Sequence, residues 1–240
     1  MNHQPKMNQQ PEMNQPMKMN QPPDFNPLAR LYRWMEFTTF GPFLTLTRGA
    51  FLDRLTEAKC ALVLGDGDGR FTARLVRENP TVQVDAVDAS GGMLNELLHR
   101  AQPHEARVRV YLADARTWQT PAPILGRPYD LIATHFFLDC LSTQEVRSLA
   151  GRLSGAVSPS ALWVVSEFAV PQGWFGRFVA RPVVGILYFC FGLLTGLAVH
   201  SLPDHGSALR DAGFTLLERK TRLAGLLIAE LWSAGGRAVG

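Results

Sequence analysis

Apolar and polar residues follow two patterns that alternate along this chain from residue 61 onwards. Short apolar runs predict five strands, at 61–64, 82–87, 108–112, 129–134 and 161–168. Between them, helical spacing predicts helices at 71–78 and 92–102, and a further helix begins at a capping box of Ser142 and Glu145. This alternation predicts a parallel sheet with helices on both faces. Right-handed crossovers then bring the carboxyl end of every strand to one edge, where ligands bind.

The pattern breaks after the fifth predicted strand. Residues 174–199 are strongly apolar, and 182–199 contain no charged residue. As a helix, 182–199 would span about 27 Å, close to the hydrocarbon thickness of a bilayer. A spanning helix would leave the strands that follow on the far side of the membrane. We therefore favour an apolar helical lid, inserted at about 171–203, that walls an acceptor pocket. Contact with a membrane surface and a homodimer interface are the alternatives.

The closing part of the chain returns to regular structure. A short helix is predicted at 204–212 and two strands at about 214–221 and 226–232. Leu223-Ala224-Gly225 between the strands predicts a hairpin turn. Together these elements indicate an α/β fold with a mostly parallel sheet and a final antiparallel hairpin.

The beginning of the chain differs in composition from the rest. Residues 1–24 repeat Met, Asn, Gln and Pro and cannot bury enough surface to offset the entropy of ordering, so we expect a disordered tail. Residues 25–57 are helical in pattern and rich in aromatics, with a break at Gly41-Pro42, which predicts a helical cap on the main domain at 58–240. In a second interpretation, three side chains of this cap also line a ligand pocket: Tyr32, Trp34 and Arg48.

Composition and charge disfavour several classes of function. The chain has 240 residues, 46% of them hydrophobic, and a net charge of +3 from scattered Lys and Arg, which indicates no nucleic-acid partner. The tail lacks the apolar core of a secretory signal peptide. Three widely spaced cysteines indicate buried thiols in a reducing compartment, and no Cys/His spacing supports a metal site. We expect a cytoplasmic protein, with a peripheral position at the membrane as the alternative.

Three glycines at alternate positions follow the first predicted strand. Gly65, Gly67 and Gly69 stand between an apolar run and a helix start, where glycine permits a positive φ and close approach of a ligand to the backbone. The dinucleotide fingerprint requires a third glycine three positions after the second. Arg70 or Thr72 occupies that position, depending on which pair is counted. The turn therefore indicates a nucleotide-bearing cofactor, and its spacing disfavours a dinucleotide.

The glycine spacing and three later features resemble the motifs of class I S-adenosylmethionine-dependent methyltransferases, in particular bacterial small-molecule enzymes of unassigned substrate. The later features are Asp88-Ala89-Ser90 followed by Met93, Asp114-Ala115, and Tyr129-Asp130-Leu131-Ile132. The resemblance covers residues 61 to 168 and extends through the final hairpin. It implies a Rossmann-like fold with a seven-stranded sheet, and S-adenosyl-L-methionine as the cofactor.

The resemblance also implies a role for each motif. The glycine turn brings the backbone to the amino-acid end of the cofactor, Asp88 accepts hydrogen bonds from the ribose hydroxyls, and Asp114 meets the adenine amino group. Apolar neighbours flank the adenine: Ala89, Met93 and Ala115. For Asp88 and Asp114 the structural alternative is solvation or capping of a strand end.

One position departs from the family pattern. Family members commonly carry an acidic residue two positions before the first glycine, where this chain has Val63. In the family, that carboxylate orders the turn or reaches the cofactor. We expect Asp66 and Asp68, within the turn, to compensate, and we include Asp66 among the cofactor-binding residues.

The acceptor side offers three candidate catalytic residues. Methyl transfer depends mainly on alignment of the acceptor, and a base assists when the acceptor is a hydroxyl or an amine. His135 follows the fourth predicted strand and titrates near neutrality when unperturbed, so it is the first candidate. Its alternative role is a hydrogen bond at a strand end. Glu167 and Asp139 are the second choices, and we expect loop roles for His200 and His205.

These features predict an S-adenosylmethionine-dependent methyltransferase that acts on an apolar small molecule. Two interpretations from other classes compete with it. One is a non-catalytic module that binds S-adenosylmethionine or S-adenosylhomocysteine. This interpretation rests on Val63, which stands where family members commonly carry an acidic residue. The other is a membrane-surface scaffold anchored by residues 182–199. Consumption of the methyl donor separates the enzyme from the module, and a scaffold would sediment with membranes without binding the nucleotide.

Overall fold

The computed structural model describes residues 41–119, 126–171, 173, 176 and 202–235. The predicted tail at 1–24, the first part of the predicted cap at 25–40 and nearly all of the predicted lid at 171–203 lie outside these residues. The lid, membrane-surface and dimer interpretations of 182–199 therefore stay predictions. Within the described ranges, no helix combines the length and the apolar character needed to cross a membrane.

In the described part of the chain, seven strands form one sheet in the order β3-β2-β1-β4-β5-β7-β6. The strands are β1 Cys60–Leu64, β2 Gln83–Asp88, β3 Val108–Leu112, β4 Tyr129–His135, β5 Val157–Phe168, β6 Thr215–Arg222 and β7 Leu227–Ser233. Strands β1 to β5 pair in parallel, whereas β7 lies between β5 and β6 and runs antiparallel to both. The predicted α/β class and the mostly parallel sheet with an antiparallel hairpin are confirmed.

Helices cover both faces of this sheet. They are α1 Gly41–Arg48, α2 Arg70–Glu78, α3 Gly91–Ala101, α4 Thr143–Ser154 and α5 His205–Asp211. One apolar cluster, which includes Phe71, packs α2 and α3 against the sheet, and a second, which includes Trp163 and Trp232, packs α4 and α5 against the other face. Successive strand residues point to opposite faces, so Val63 joins the first cluster and Leu64 the second.

Short-range signals in the sequence fix several helix starts. In the predicted capping box of α4, the backbone N–H of Ser142 donates to Glu145 Oε2 at 2.8 Å, and the N–H of Glu145 donates to Ser142 Oγ at 3.3 Å. Ser90 caps α3 and Asp204 caps α5 through their side-chain oxygens. Each oxygen satisfies an N–H that the first turn of a helix leaves free.

The predicted start of the fifth strand at Ala161 is wrong, because β5 already begins at Val157. Pro159 and its exposed neighbour obscure the strand pattern there. Tyr129 nevertheless pairs with Val157. A register shift then interrupts the β4–β5 ladder, and pairing resumes at Leu131. The other strand boundaries fall within one residue of those predicted.

The described part of the predicted cap contains less helix than its pattern indicated. A helix does begin at Gly41, but α1 ends at Arg48 and only a 3-10 turn at Leu52–Arg54 follows. Phe51 and Leu55 are buried in the first apolar cluster. The segment therefore packs against the domain mainly through apolar side chains.

Candidate active site

The glycine-rich turn joins β1 to α2 in a conformation that requires glycine. The φ angles are 66° at Gly65, 60° at Gly67 and 79° at Gly69, all in the left-handed region. Asp66 orders the turn from within. Its carboxylate accepts from the backbone N–H of Phe71 at 3.3 Å and of Thr72 at 2.8 Å, at the start of α2. Burial raises the pKa of Asp66 to about 6 in spite of these hydrogen bonds.

The turn is braced without a carboxylate at Val63, which lies in the apolar core. Oδ2 of Asp68 is 3.1 Å from Nε of Arg70 and 2.8 Å from Nη2 of Arg100, so Asp68 joins the turn to α3. Asp66 and Asp68 therefore both order this turn, and their compensation for Val63 stays a prediction. Direct contact of Asp66 with a cofactor stays a prediction, because both of its oxygens accept from helix amides.

The second and third glycines of the turn have different surroundings. A β-carbon on Gly69 would lie 2.6 Å from Cα of Leu97, so this glycine allows α2 and α3 to pack closely. Among the described residues, a β-carbon on Gly67 would meet only Sδ of Met93, at 3.9 Å. The backbone at Gly67 therefore borders open space beside Met93, as expected for a cofactor cradle.

Asp88, at the end of β2, adjoins this open space. Its Oδ1 accepts from the N–H of Ser90 at 2.9 Å, and its carboxylate also accepts from the backbone N–H groups of Gly67 and Ala89. Burial raises the pKa of Asp88 to about 6, and the negative charge of Asp66 adds to the effect. A partly buried carboxylate beside an open glycine can accept hydrogen bonds from two neighbouring hydroxyls, so the site fits a ribose.

Asp114, at the end of β3, has a different setting from the one expected. The guanidinium of Arg116 donates to Oδ2 of Asp114 from Nε at 2.9 Å and from Nη2 at 2.6 Å, and lowers the pKa of this carboxyl. The N–H of Arg116 donates to Oδ1 at 2.9 Å. With these hydrogen bonds, Asp114 caps the turn that contains the buried Ala115. Adenine contacts of Asp114 and Ala115 stay predictions.

Beyond β4 and β5, two candidate carboxyl groups come together. Oε1 of the buried Glu167 accepts from the N–H of Phe137 at 3.2 Å and of Leu138 at 2.8 Å, while Oε2 has no hydrogen-bond partner among the described residues. Burial, and then the charge of Asp139, raise the pKa of Glu167 well above its ordinary range. Burial raises the pKa of the less enclosed Asp139 to about 6. Both carboxyls therefore hold their protons to a higher pH than exposed carboxyls do.

His135 lies on the opposite face of the sheet from this pair. Its Nδ1 is 2.9 Å from Oγ of Ser166, its ring centroid is 4.2 Å from that of Phe71, and the residue is 2% exposed. Ser166 and Glu167 are successive strand residues and so point to opposite faces. Burial, and then the positive charge of Arg48, lower the pKa of His135 well below its ordinary value. The catalytic role of His135 therefore stays a prediction.

His205 is also placed differently from the expectation of a loop role. It is the first residue of α5, and its Nε2 lies 3.1 Å from Oε2 of the fully buried Glu230. Glu230 also accepts from Nε of Arg219 at 2.7 Å and from Nε1 of Trp232 at 2.9 Å. This network joins α5 to β6 and β7. His200 lies outside the described residues.

The aromatic residues after His135 were missed by reasoning from the sequence. Phe136 has a φ of 53°, and its ring packs on that of Phe168 with centroids 5.2 Å apart. Leu44 and Leu227 complete an apolar cluster with Phe136. A β-carbon on Gly65 would lie 2.7 Å from Cγ of Phe137, so that ring rests on the first glycine of the turn. No composition or spacing signal marks either phenylalanine.

A family model described as a methyltransferase domain matches residues 61–160. Methyltransferases without an assigned activity from Mycobacterium tuberculosis and Mycobacterium bovis are 30% identical to this chain over 127 residues. The match covers 51% of this chain and 58% of each relative, so the chain spans little more than half the length of the curated relatives it matches.

Solved structures with the same fold include three methyltransferases. The S-adenosylmethionine-dependent methyltransferase SibL, in its apo form, has a TM-score of 0.56 and 22% identity, over 85% of this chain and 56% of that one. The mitomycin 7-O-methyltransferase MmcR has a TM-score of 0.65 and 14% identity, over 88% and 60%. An O-methyltransferase family 2 protein from Planctomyces limnophilus, in complex with apigenin, has a TM-score of 0.61 and 14% identity, over 85% and 61%.

Proposed function

We propose, from the match of residues 61–160 to a methyltransferase family model and from the Rossmann-like fold, that this chain is a class I methyltransferase that transfers a methyl group from S-adenosylmethionine to an apolar small molecule. One observation carries the proposal. The open backbone at Gly67, the carboxylate of Asp88 and the carboxyl pair of Asp139 and Glu167 all lie at the carboxyl ends of parallel strands, on one edge of the sheet. A cofactor site and a proton-accepting group are therefore close together.

The residues at the β1 and β2 end of this edge fit S-adenosylmethionine. Asp88 would accept hydrogen bonds from the ribose hydroxyls, and the open space at Gly67 would admit the cofactor to the backbone. Met93 borders the same space, with Ala89 and Ala115 as further neighbours for the adenine. When bound, this cofactor supplies a methyl group that is already activated on a positively charged sulfur.

At the β4 and β5 end, Asp139 has the protonation behaviour of a general base. Its pKa of about 6 makes it an ionised carboxylate at neutral pH, only slightly weaker in basicity than an ordinary imidazole. Asp139 would take the proton from an acceptor hydroxyl or amine as that atom gains the methyl group. Glu167 would hold the backbone at Phe137 and Leu138 in place by accepting from their N–H groups. We assign the base to Asp139 in preference to the enclosed His135.

An apolar acceptor agrees with the side chains around this edge. Phe136, Leu44 and Leu227 form a small apolar cluster, which Phe168 and Leu223 extend. The Planctomyces limnophilus neighbour was solved with apigenin, which is a flat aromatic phenol. Apolar phenols and amines are therefore the first acceptors to test.

Thermal unfolding with S-adenosylhomocysteine and with NAD tests the cofactor assignment. We expect S-adenosylhomocysteine to raise the midpoint by mass action and NAD to leave it unchanged. Asp88→Ala should abolish the shift while the variant still unfolds cooperatively. A larger shift with NAD, or none with S-adenosylhomocysteine, would overturn the assignment. Transfer of a labelled methyl group from S-adenosylmethionine to a panel of phenols and amines then tests the reaction.

A non-catalytic cofactor-binding module is the second candidate. The apolar Val63 favours it, because this position commonly carries an acidic residue in the enzymes that the sequence resembles. Such a module would bind S-adenosylhomocysteine and transfer no label to any acceptor in the panel. Methyl transfer that is lost in Asp139→Asn would exclude it.

A further inference from the structure

The ring of Phe137 has an unusual position for a side chain that follows a buried strand. It packs directly on Gly65, where a β-carbon would lie 2.7 Å from Cγ and 3.0 Å from Cβ of Phe137. Any side chain at Gly65 would therefore collide with this phenylalanine. The first glycine of the turn makes room for an aromatic ring as well as for the positive φ of the backbone.

The backbone around Phe137 is held in this position from two directions. Phe136 adopts a left-handed φ of 53°, which residues with a β-carbon rarely take. The N–H groups of Phe137 and Leu138 both donate to Oε1 of Glu167. An unfavourable conformation that neighbouring groups fix in this way is typical of functional positions.

The order of the strands shows which part of the cofactor would reach this ring. Asp88 is the last residue of β2, Gly65 follows β1 and Phe137 follows β4, and these three strands are adjacent in the order β2-β1-β4. A cofactor with its ribose at Asp88 extends across β1 towards β4. The sulfur is attached to the ribose through a single carbon, so it comes next along that path, near Gly65 and Phe137.

We propose that Phe137 is a specificity-determining residue whose ring contacts the cofactor sulfur and favours the positively charged methyl donor over the neutral product. This inference rests on the proposed function. An aromatic ring attracts a cation that lies over its face, and it gives no such preference to a neutral thioether of similar shape. Phe137 would thereby favour exchange of product for fresh donor after each transfer.

Calorimetric titration with S-adenosylmethionine and with S-adenosylhomocysteine tests this role without an acceptor. Cation–π contacts of about 0.5 to 2 kcal/mol correspond to about 2- to 30-fold in affinity. Phe137→Leu keeps an apolar side chain and removes the π system. We expect it to weaken binding of S-adenosylmethionine by that factor and to leave binding of S-adenosylhomocysteine within about twofold.

Two further variants make the result specific to the ring at this position. Phe137→Tyr keeps an aromatic face and should retain the preference for the charged ligand. Phe168→Leu removes a ring that packs on Phe136 and should leave the ratio of the two affinities unchanged. An equal loss of affinity for both ligands in Phe137→Leu would overturn the inference and leave the proposed function intact. A wild-type protein that binds neither ligand would overturn both.

Discussion

Replacement of Asp88 by Asn should make the protein more stable and its cofactor site weaker. The amide has the shape of the carboxylate, and its oxygen can still accept from the N–H of Ser90. It carries no charge, so it avoids the desolvation that raises the pKa of Asp88. One substitution thus separates the cost of burying the charge from its use in binding.

The size of the stability change follows from the pKa of Asp88, which is about 6 in the folded protein against an ordinary 3.8. The folded state binds this proton more tightly than the unfolded state, so wild-type stability falls as the pH rises from about 4 to about 6 and levels off above. A difference of about 2 pKa units corresponds to about 3 kcal/mol as an upper value. Solvent access to this partly buried group lowers our expectation to about 1–3 kcal/mol at pH 7.5.

Urea unfolding of the wild type and of Asp88→Asn between pH 4 and pH 8 measures this effect. The two stabilities should be similar at pH 4, the variant should become progressively the more stable between pH 4 and pH 6, and the difference should level off above pH 6. Asp53→Asn, which alters an exposed carboxylate, should show no such divergence. The affinity of Asp88→Asn for S-adenosylhomocysteine should fall about 10- to 150-fold, from the loss of hydrogen bonds to a charged acceptor. A stability difference independent of pH, or an unchanged affinity, would refute the reasoning.

Three other predictions concern the remaining parts of the site. Below pH 6, kcat/KM for methyl transfer should fall about tenfold per pH unit as Asp139 becomes protonated. Asp139→Asn should lower kcat about 10²- to 10⁴-fold. A flat pH–rate profile would contradict this role of Asp139. Gly69→Ala should lower the free energy of unfolding by about 2–4 kcal/mol, because its methyl group would overlap Leu97. Gly67→Ala should lower it by only about 1 kcal/mol. Equal losses of the two variants in denaturant unfolding would contradict this comparison. His135→Gln should leave kcat within about threefold in the same transfer assay, and a loss as large as that of Asp139→Asn would return the base to His135.

The parts of the fold that could be predicted are those with strong local signals. Strand β1 is buried on both faces and appears in the sequence as a continuous apolar run, and β4 has an apolar centre at residues 131–133. The turn at Gly65 could be located because its backbone has to adopt a positive φ. The capping box at Ser142 involves residues only three positions apart. In each case the residues that determine the structure are neighbours in the chain.

The sequence did not predict features that depend on competition between side chains or on register. Asp114 is engaged by Arg116, two positions away, although its place at a strand end pointed equally well to a ligand. The start of β5 was missed because Pro159 interrupts a strand that pairs through a register shift. The face to which His135 points depends on that same ladder. The left-handed backbone at Phe136 could not be predicted from its residue type. It is held in part by Glu167 on another strand, which accepts from the N–H of the next residue.

The position of β7 between β5 and β6 has a consequence for the order in which the chain assembles. Strand β6 contacts the sheet only through β7, although β7 is synthesised later. While β6 leaves the ribosome, the edge of β5 beside Glu167 is still unpaired, and β6 has no partner strand. The carboxyl pair can therefore reach its final enclosure only after residues 227–233 have inserted. A nascent chain halted before this point would expose a long apolar strand edge, which is the surface that chaperones protect.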